Sequence, residues 1–184
     1  MPQRRGVVGD ERLVAMALLI LRALLPRTTT PEDGAMSQAR ILANEQVCIG
    51  CHLCEVHCLA EHSRSRHLIK AFKKEQPRAL ARIHVEEDHP YSIAVQCHHC
   101  REPLCVYSCL TGAMQKDPET GIVSSDPERC MGCWTCVMVC PYGALVRDTQ
   151  RHVIVKCDLC SHLVTPSCVA HCPNEALSFV KVDS

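Results

Sequence analysis

The chain has 184 residues, 20 basic and 20 acidic side chains, a formal charge of zero, 16 cysteines and only 3% aromatic residues. That charge balance excludes a general binder of nucleic acid or of anionic membranes. The aromatic content is too low to fill an ordinary core, and the bunching of the cysteines does not suit a secreted disulfide framework, which staples distant segments.

In chain order, residues 1–36 come first and contain no cysteine. Their apolar run, Leu13 to Leu25, is interrupted only by Arg22 and is too short to cross a membrane. Asp10 and Glu11 separate it from Arg4 and Arg5, and no A-x-A-type cleavage site follows closely. Residues 1–36 are therefore expected to be an N-terminal extension. It is read as a stretch ahead of a true start at Met36, as a partner-docking helix, or as a cleaved leader or membrane anchor. Residues 37–184 are expected to form the main domain.

Group one of the cysteines follows in CIGCHLCEVHC: Cys48, Cys51, Cys54 and Cys58. Ser63 to Arg78 is a basic run, SRSRHLIKAFKKEQPR, read as a solvated loop or as a docking surface for an acidic partner. Arg82–Val85 reads as a strand. Group two, CHHCREPLCVYSC, supplies Cys97, Cys100, Cys105 and Cys109. Asp117 to Gly121, DPETG, reads as a hairpin turn, Ile122–Ser124 as a strand, and Asp126-Pro127 as the turn into group three. Group three, CMGCWTCVMVC, holds Cys130, Cys133, Cys136 and Cys140, with Pro141 next. Val153–Val155 reads as a strand. Group four, CDLCSHLVTPSCVAHC, holds Cys157, Cys160, Cys168 and Cys172, followed by Pro173, and Leu177–Val180 reads as the last strand.

Groups one and three share the spacing C-x2-C-x2-C-x3-C, and all four groups end in C-x3-C, so the chain is an internal repeat. Three thiols at this spacing wrap one four-iron cubane. The fourth, a helical turn further on, is expected to start a short helix and reach a different cluster, with proline fixing the backbone where the chain turns off. Zinc is the competing reading, because C-x2-C pairs make knuckles. Knuckles have no role for a third cysteine three residues later. A Rieske centre is excluded because every group is complete without histidine. His52, His57, His98, His99, His162 and His171 are read as groups around the clusters or in solvent. A third reading, an enzyme using one cluster for substrate chemistry, needs an iron corner without a thiolate. No dinucleotide fingerprint, Walker motif or nucleophile elbow is present. Thr111-Gly112 and Tyr142-Gly143 either let backbone N–H groups approach sulfur or simply turn the chain. An oxidised four-iron cubane with four thiolates carries about −2, so four of them would bring the chain to about −8.

The motifs CIGCHLCEVHC, KAFKKE, CVYSCLTGAM, CMGCWTCVMVCPYGA and KCDLC…CVAHCPNEAL resemble the four-cluster iron–sulfur electron-transfer subunits of the dimethyl sulfoxide reductase and formate dehydrogenase type. They are closer still to the small subunits that accompany carbon monoxide dehydrogenase and tungsten-dependent aldehyde oxidoreductases. The resemblance spans roughly Val47 to Phe179. It implies an α+β fold of two nested two-cluster ferredoxin-like units, the outer from 44–96 plus 147–184 and the inner from 97–146. It also implies four [4Fe-4S] clusters with exchanged ligands. Cys48, Cys51 and Cys54 would share one with Cys172, and Cys58 would join Cys157, Cys160 and Cys168. Cys97, Cys100 and Cys105 would pair with Cys140, and Cys109 with Cys130, Cys133 and Cys136. Some relatives have Trp in place of a group-three cysteine and a three-iron cluster. Here Cys133 is present beside Trp134, so four-iron is expected throughout. The implied role is a non-catalytic electron-transfer subunit. Its partner would be carbon monoxide dehydrogenase, a tungsten aldehyde oxidoreductase or a molybdopterin enzyme, its acceptor another carrier, a flavoprotein or a membrane module, with no nucleic acid. Cytoplasmic location is expected, with membrane association only through a partner.

Overall fold

The computed structural model describes residues 38–182. The expected extension, residues 1–36, lies outside them. Eight strands and five short helices alternate along the described chain. The strands are β1 (Gln38–Ala43), β2 (Ile83–Asp88), β3 (Tyr91–Gln96), β4 (Met114–Lys116), β5 (Val123–Ser125), β6 (Leu145–Asp148), β7 (Val153–Lys156) and β8 (Leu177–Val182). The helices are α1 (Leu53–Glu61), α2 (Leu68–Lys73), α3 (Leu104–Tyr107), α4 (Thr135–Val139) and α5 (Ser167–Ala170). The fold is α+β. Among the described residues no helix is long and apolar enough to cross a membrane.

The strands pair as four two-stranded antiparallel ribbons, β1–β8, β2–β3, β4–β5 and β6–β7. Three are local hairpins. The β4–β5 turn is the predicted Asp117–Gly121: Gly121 N donates to Asp117 O at 2.9 Å, and Thr120 Oγ1 to Asp117 Oδ2 at 2.6 Å. The Asp126-Pro127 turn is fixed by Glu128 N donating to Asp126 Oδ1 at 2.9 Å. The remaining ribbon is long-range. It sets Ile41 opposite Phe179 and so closes the first and last described segments around the rest. Helices α1 and α5 pack together, as do α3 and α4, and α5 packs on β8.

All four strands expected from β-branched runs are present: β2 starts and β5 lies one residue later than expected, and β2, β7 and β8 run on three, one and two residues further. Strands β1, β3, β4 and β6 were not expected. The basic run 63–78 differs from the loop reading, because it contains α2. Buried Glu75 anchors it, accepting the backbone N–H groups of Arg64 (3.0 Å) and Ser65 (2.9 Å). The cysteines also sit differently on their helices. The third of each group, Cys54, Cys105, Cys136 or Cys168, lies in the first half of a short helix. The fourth lies inside or just beyond that helix and does not start one. The extra turn between them is needed to carry the last thiol along the axis.

No Phe, Tyr or Trp is buried among the described residues. The core is instead aliphatic residues interleaved with thiols. Ile41, Ile83 and Leu177 pack with Cys54, Cys58, Cys97, Cys157 and Cys168, while Met114, Val123, Leu145 and Ile154 surround Cys136.

Candidate metal centres

Each centre begins with the same backbone device. The third residue of the first C-x-x-C in each group, namely Gly50, His99, Gly132 and Leu159, has a φ between 47° and 67°. That left-handed turn curls the chain back on the first cysteine. In groups two and four the N–H of the left-handed residue donates to that sulfur: His99 N to Cys97 Sγ and Leu159 N to Cys157 Sγ, both at 3.4 Å. Holding His99 and Leu159 there costs backbone strain, of the kind that concentrates at functional sites. His52 and Trp134, just ahead of α1 and α4, are left-handed as well.

None of the sixteen cysteines is in a disulfide, and two sets of four line two separate cavities. Cys48, Cys51, Cys54 and Cys172 line one cavity of about 380 Å³, with Pro173 and Asn174 at its edge. Cys109, Cys130, Cys133 and Cys136 line another of about 360 Å³, walled by Met131 and Trp134. Burial raises the Cys168 thiol, and the charges of Cys157, Cys58, Cys160 and Cys54 raise it further. Burial likewise raises Cys105 to about 11, helped by the charges of Cys97, Cys140 and Cys100. Burial pushes Cys54 and Cys157 up to about 12 and Cys136 to about 11.

This donor set fits iron–sulfur clusters. Convergent buried thiols resist ionisation through their mutual repulsion, and a bound metal of opposite charge removes that obstacle. Single zinc ions would also be thiolate-bound. However, four converging thiols drawn from two distant groups, with backbone N–H groups aimed at sulfur, match the ligation and hydrogen bonding of cubane clusters.

Polar groups around the sulfurs complete the picture. Arg82 N donates to Cys58 Sγ at 3.2 Å and Met114 N to Cys109 Sγ at 3.4 Å. Burial works to raise Cys109, but the N–H of Met114 and the Thr111 hydroxyl, 3.8 Å away, hold it below the usual thiol value. The Thr111-Gly112 turn thus serves sulfur, whereas at Tyr142-Gly143 the Gly143 N–H closes a turn on Cys140 O at 3.3 Å. The Thr135 hydroxyl lowers Cys133.

The histidines of the expected set fall into three arrangements. His57 stacks on His171 at 3.6 Å, and His98 on Tyr142 at 4.0 Å. His52 and His162 bond Glu87 (3.3 Å) and Glu61 (2.8 Å) near the surface. His99 is fully buried, and its Nδ1 accepts the N–H of Val123 at 3.0 Å. Burial, followed by the positive charge of Lys156, pushes its pKa down to about 3, so its ring is neutral.

Two groups escaped the sequence reading. His62 lies 3.7 Å from Cys58 Sγ and 3.1 Å from Asp158 Oδ1. Burial disfavours its charged form, but bonds to Asp158, Cys160 and Cys58 outweigh burial and raise its pKa. Lys156 is 3% exposed, its ammonium donating to the carbonyls of Val123 and Cys157. No spacing signals either one. A histidine in a helix tail and a lysine in a strand are ordinary surface residues until the tertiary fold covers them.

The sequence matches the family described as a 4Fe-4S dicluster domain over residues 89–182, a span that includes groups two, three and four. It is 36% identical over 153 residues to the electron transport protein HydN of Escherichia coli K12, covering 74% of this chain and 85% of that one. It is 36% identical over 161 residues to an iron–sulfur protein of Rhodospirillum rubrum, covering 78% and 83%. To the thiosulfate reductase electron transfer subunit PhsB of Salmonella typhi it is 34% identical over 152 residues, covering 80% and 78%. With its thiols gathered as that chemistry requires, the chain belongs to the 4Fe-4S dicluster, ferredoxin-type family of electron-transport subunits.

Proposed function

We propose that the chain holds four [4Fe-4S] clusters and relays single electrons between a catalytic oxidoreductase partner and a downstream acceptor. The partner is of the carbon monoxide dehydrogenase, aldehyde or formate type, and the acceptor is another carrier, a flavoprotein or a membrane module. The observation that carries this reading is that Cys48, Cys51, Cys54 and Cys172 line one cavity and Cys109, Cys130, Cys133 and Cys136 another, which leaves eight further thiols for two more clusters. When bound, such clusters take up and release one electron at a time.

Cys48, Cys51, Cys54 and Cys172 hold the first cluster. The second is held by Cys58, Cys157, Cys160 and Cys168, the third by Cys97, Cys100, Cys105 and Cys140, and the fourth by Cys109, Cys130, Cys133 and Cys136. The sets form a file. The charge of Cys54 bears on Cys168, linking the first to the second, and that of Cys97 on Cys157, linking the second to the third. Cys105 and Cys109, one C-x3-C apart, join the third to the fourth. Exposed Cys51 and Cys133 mark its two ends. The backbone N–H groups on Cys58, Cys97, Cys109 and Cys157 stabilise negative charge on sulfur and favour the reduced state. Oxygen-labile clusters favour the cytoplasm, with membrane contact through a partner. The relatives' names as electron transport proteins and subunits support a non-catalytic role.

Anaerobic purification should yield about sixteen irons per chain and a broad absorption bleached by dithionite. A colourless protein with four zincs would establish the zinc-module alternative instead. Isolation of the native complex and identification of its large subunit tests the partner.

A further inference from the structure

A cleft of about 1010 Å³ opens beside the second thiol set. Five arginines from three separate stretches of chain line it, Arg64, Arg78, Arg82, Arg147 and Arg151, against two carboxylates, Glu75 and Asp148. Both carboxylates are engaged, Glu75 with the backbone of Arg64 and Ser65, and Asp148 with Arg151 at 2.6 Å. Arg78, which lies over the Phe72 ring at 5.7 Å, and exposed Arg147 form no ion pair among the described residues. In a chain of zero formal charge this is a marked local excess of one sign. His62 belongs to the cleft wall and also lies 3.7 Å from Cys58 Sγ, so a single imidazole separates the cleft from a thiol of the second set.

We propose that this cleft is the docking site for the acidic face of a protein electron carrier, which exchanges electrons with the file from the side, at the second cluster. The proposal rests on the four-cluster reading above. Arg64, Arg82 and Arg151 are held by the Gln76 carbonyl, Asp158 and Asp148, so the complement of the two remaining guanidinium groups, Arg78 and Arg147, is an acidic surface. The spread of the five arginines across three chain segments suits an extended protein face, and the cleft lacks the predominantly apolar enclosure that a small ligand requires. Charge of one sign concentrated in a cleft also accelerates encounter by 10- to 1,000-fold, as expected for a transient carrier.

The test uses the iron-loaded full chain, reduced with dithionite freed of excess reductant, and follows oxidation of its visible absorption by two probes in stopped flow. One probe is an acidic flavodoxin, the other a basic cytochrome c. With flavodoxin the second-order rate constant should fall steeply with ionic strength, and Arg147→Glu and Arg78→Glu should each lower it about tenfold at low salt. Lys181→Glu, on β8, makes the same charge change outside the cleft and should leave the rate within twofold. Neither arginine variant should slow cytochrome c, which shows that the clusters remain competent. Equal slowing by all three variants would overturn the proposal, reducing the effect to net charge. Block of flavodoxin by ATP or inorganic phosphate at constant ionic strength would overturn it in favour of a small-anion site. Failure of the four-cluster reading has a separate signature: iron well below sixteen per chain and no bleaching, before any carrier is added.

Discussion

Cys54 and Cys58 stand on one buried face of α1, a single turn apart, yet of the two only Cys54 lines the cavity shared with Cys48, Cys51 and Cys172. Residues i and i+4 share a helical face and differ by about 6 Å along the axis. That axial step lets one short helix border two neighbouring centres. On the proposed ligation, the C-x3-C ending would space adjacent clusters at the same time as it supplied a ligand to each.

Exchange of the fourth ligand gives the first prediction. Cys172→Ser should perturb the cluster held with Cys48, Cys51 and Cys54, and iron should fall from about sixteen towards about twelve per chain. Paramagnetic resonance of the reduced protein should lose one component and keep that of the set containing Cys157, Cys160 and Cys168. If only the latter changes, the nested ligation is wrong.

Lys156 is expected to act on potential. Its buried ammonium lowers the thiol pKa of both Cys105 and Cys157, so its charge reaches the third and second sets together. Lys156→Met preserves side-chain length and removes the charge. Midpoint potentials of the two adjacent clusters should drop by on the order of 50 mV in a potentiometric titration followed by paramagnetic resonance. The carbonyls of Val123 and Cys157 lose their donor, costing about 1–3 kcal/mol in denaturant unfolding. Lys156→Arg should restore the potentials more fully than the stability. Unchanged potentials in the methionine variant would leave Lys156 a structural role only.

Gly50 and Gly132 occupy the same place in groups one and three, with φ of 62° and 67°, but their surroundings differ. A methyl at residue 132 would meet the backbone carbonyl of His152 at 2.5 Å, whereas at residue 50 it would meet the Glu87 carboxylate, which can swing away. Gly50→Ala should therefore cost about 1 kcal/mol, the left-handed penalty alone. Gly132→Ala should cost more and reduce iron at the set containing Cys130 and Cys133. Denaturant midpoints and iron analysis of the two variants side by side decide this. Equal losses would show that backbone conformation, not the His152 contact, sets the cost.

Asp148 closes the β6–β7 turn, its Oδ1 accepting the N–H groups of Gln150 and Arg151 at 3.0 Å and its Oδ2 facing the Arg151 guanidinium. Burial works to raise its pKa, but those bonds outweigh burial and lower it. A lowered carboxyl contributes stability in full above its unfolded value of about 3.9, and that stability is lost as pH falls through the folded value. Asp148→Asn should cost about 1 kcal/mol, constant between pH 5 and 8 and shrinking only below about pH 4. A cost that already varies between pH 5 and 8 would assign the effect to another group.

The elements read from sequence were those with concentrated local signals. Val153–Val155 is a β-branched run, and DPETG carries the Asx acceptor and glycine of its turn. The strands missed, QARILA, YSIAVQ, MQK and LVRD, are short or mixed in character, and each is a strand because a partner lies beside it. The basic run was legible as charge, but its joining with Arg147 and Arg151 across a cleft was not.

What the sequence alone determined was the kind of chemistry. Within one C-x2-C-x2-C stretch the covalent chain is so short that three sulfurs must converge, whatever the remainder of the molecule does. What tertiary structure decided was that Cys172 lines the cavity of Cys48, Cys51 and Cys54, which lysine is covered and which arginines share a cleft. Cys54 and Cys172 are separated by more than a hundred residues, and the β1–β8 ribbon and the α1–α5 contact close that loop. Closure over such a distance comes from the summed pairing and packing of whole elements, which no local spacing records.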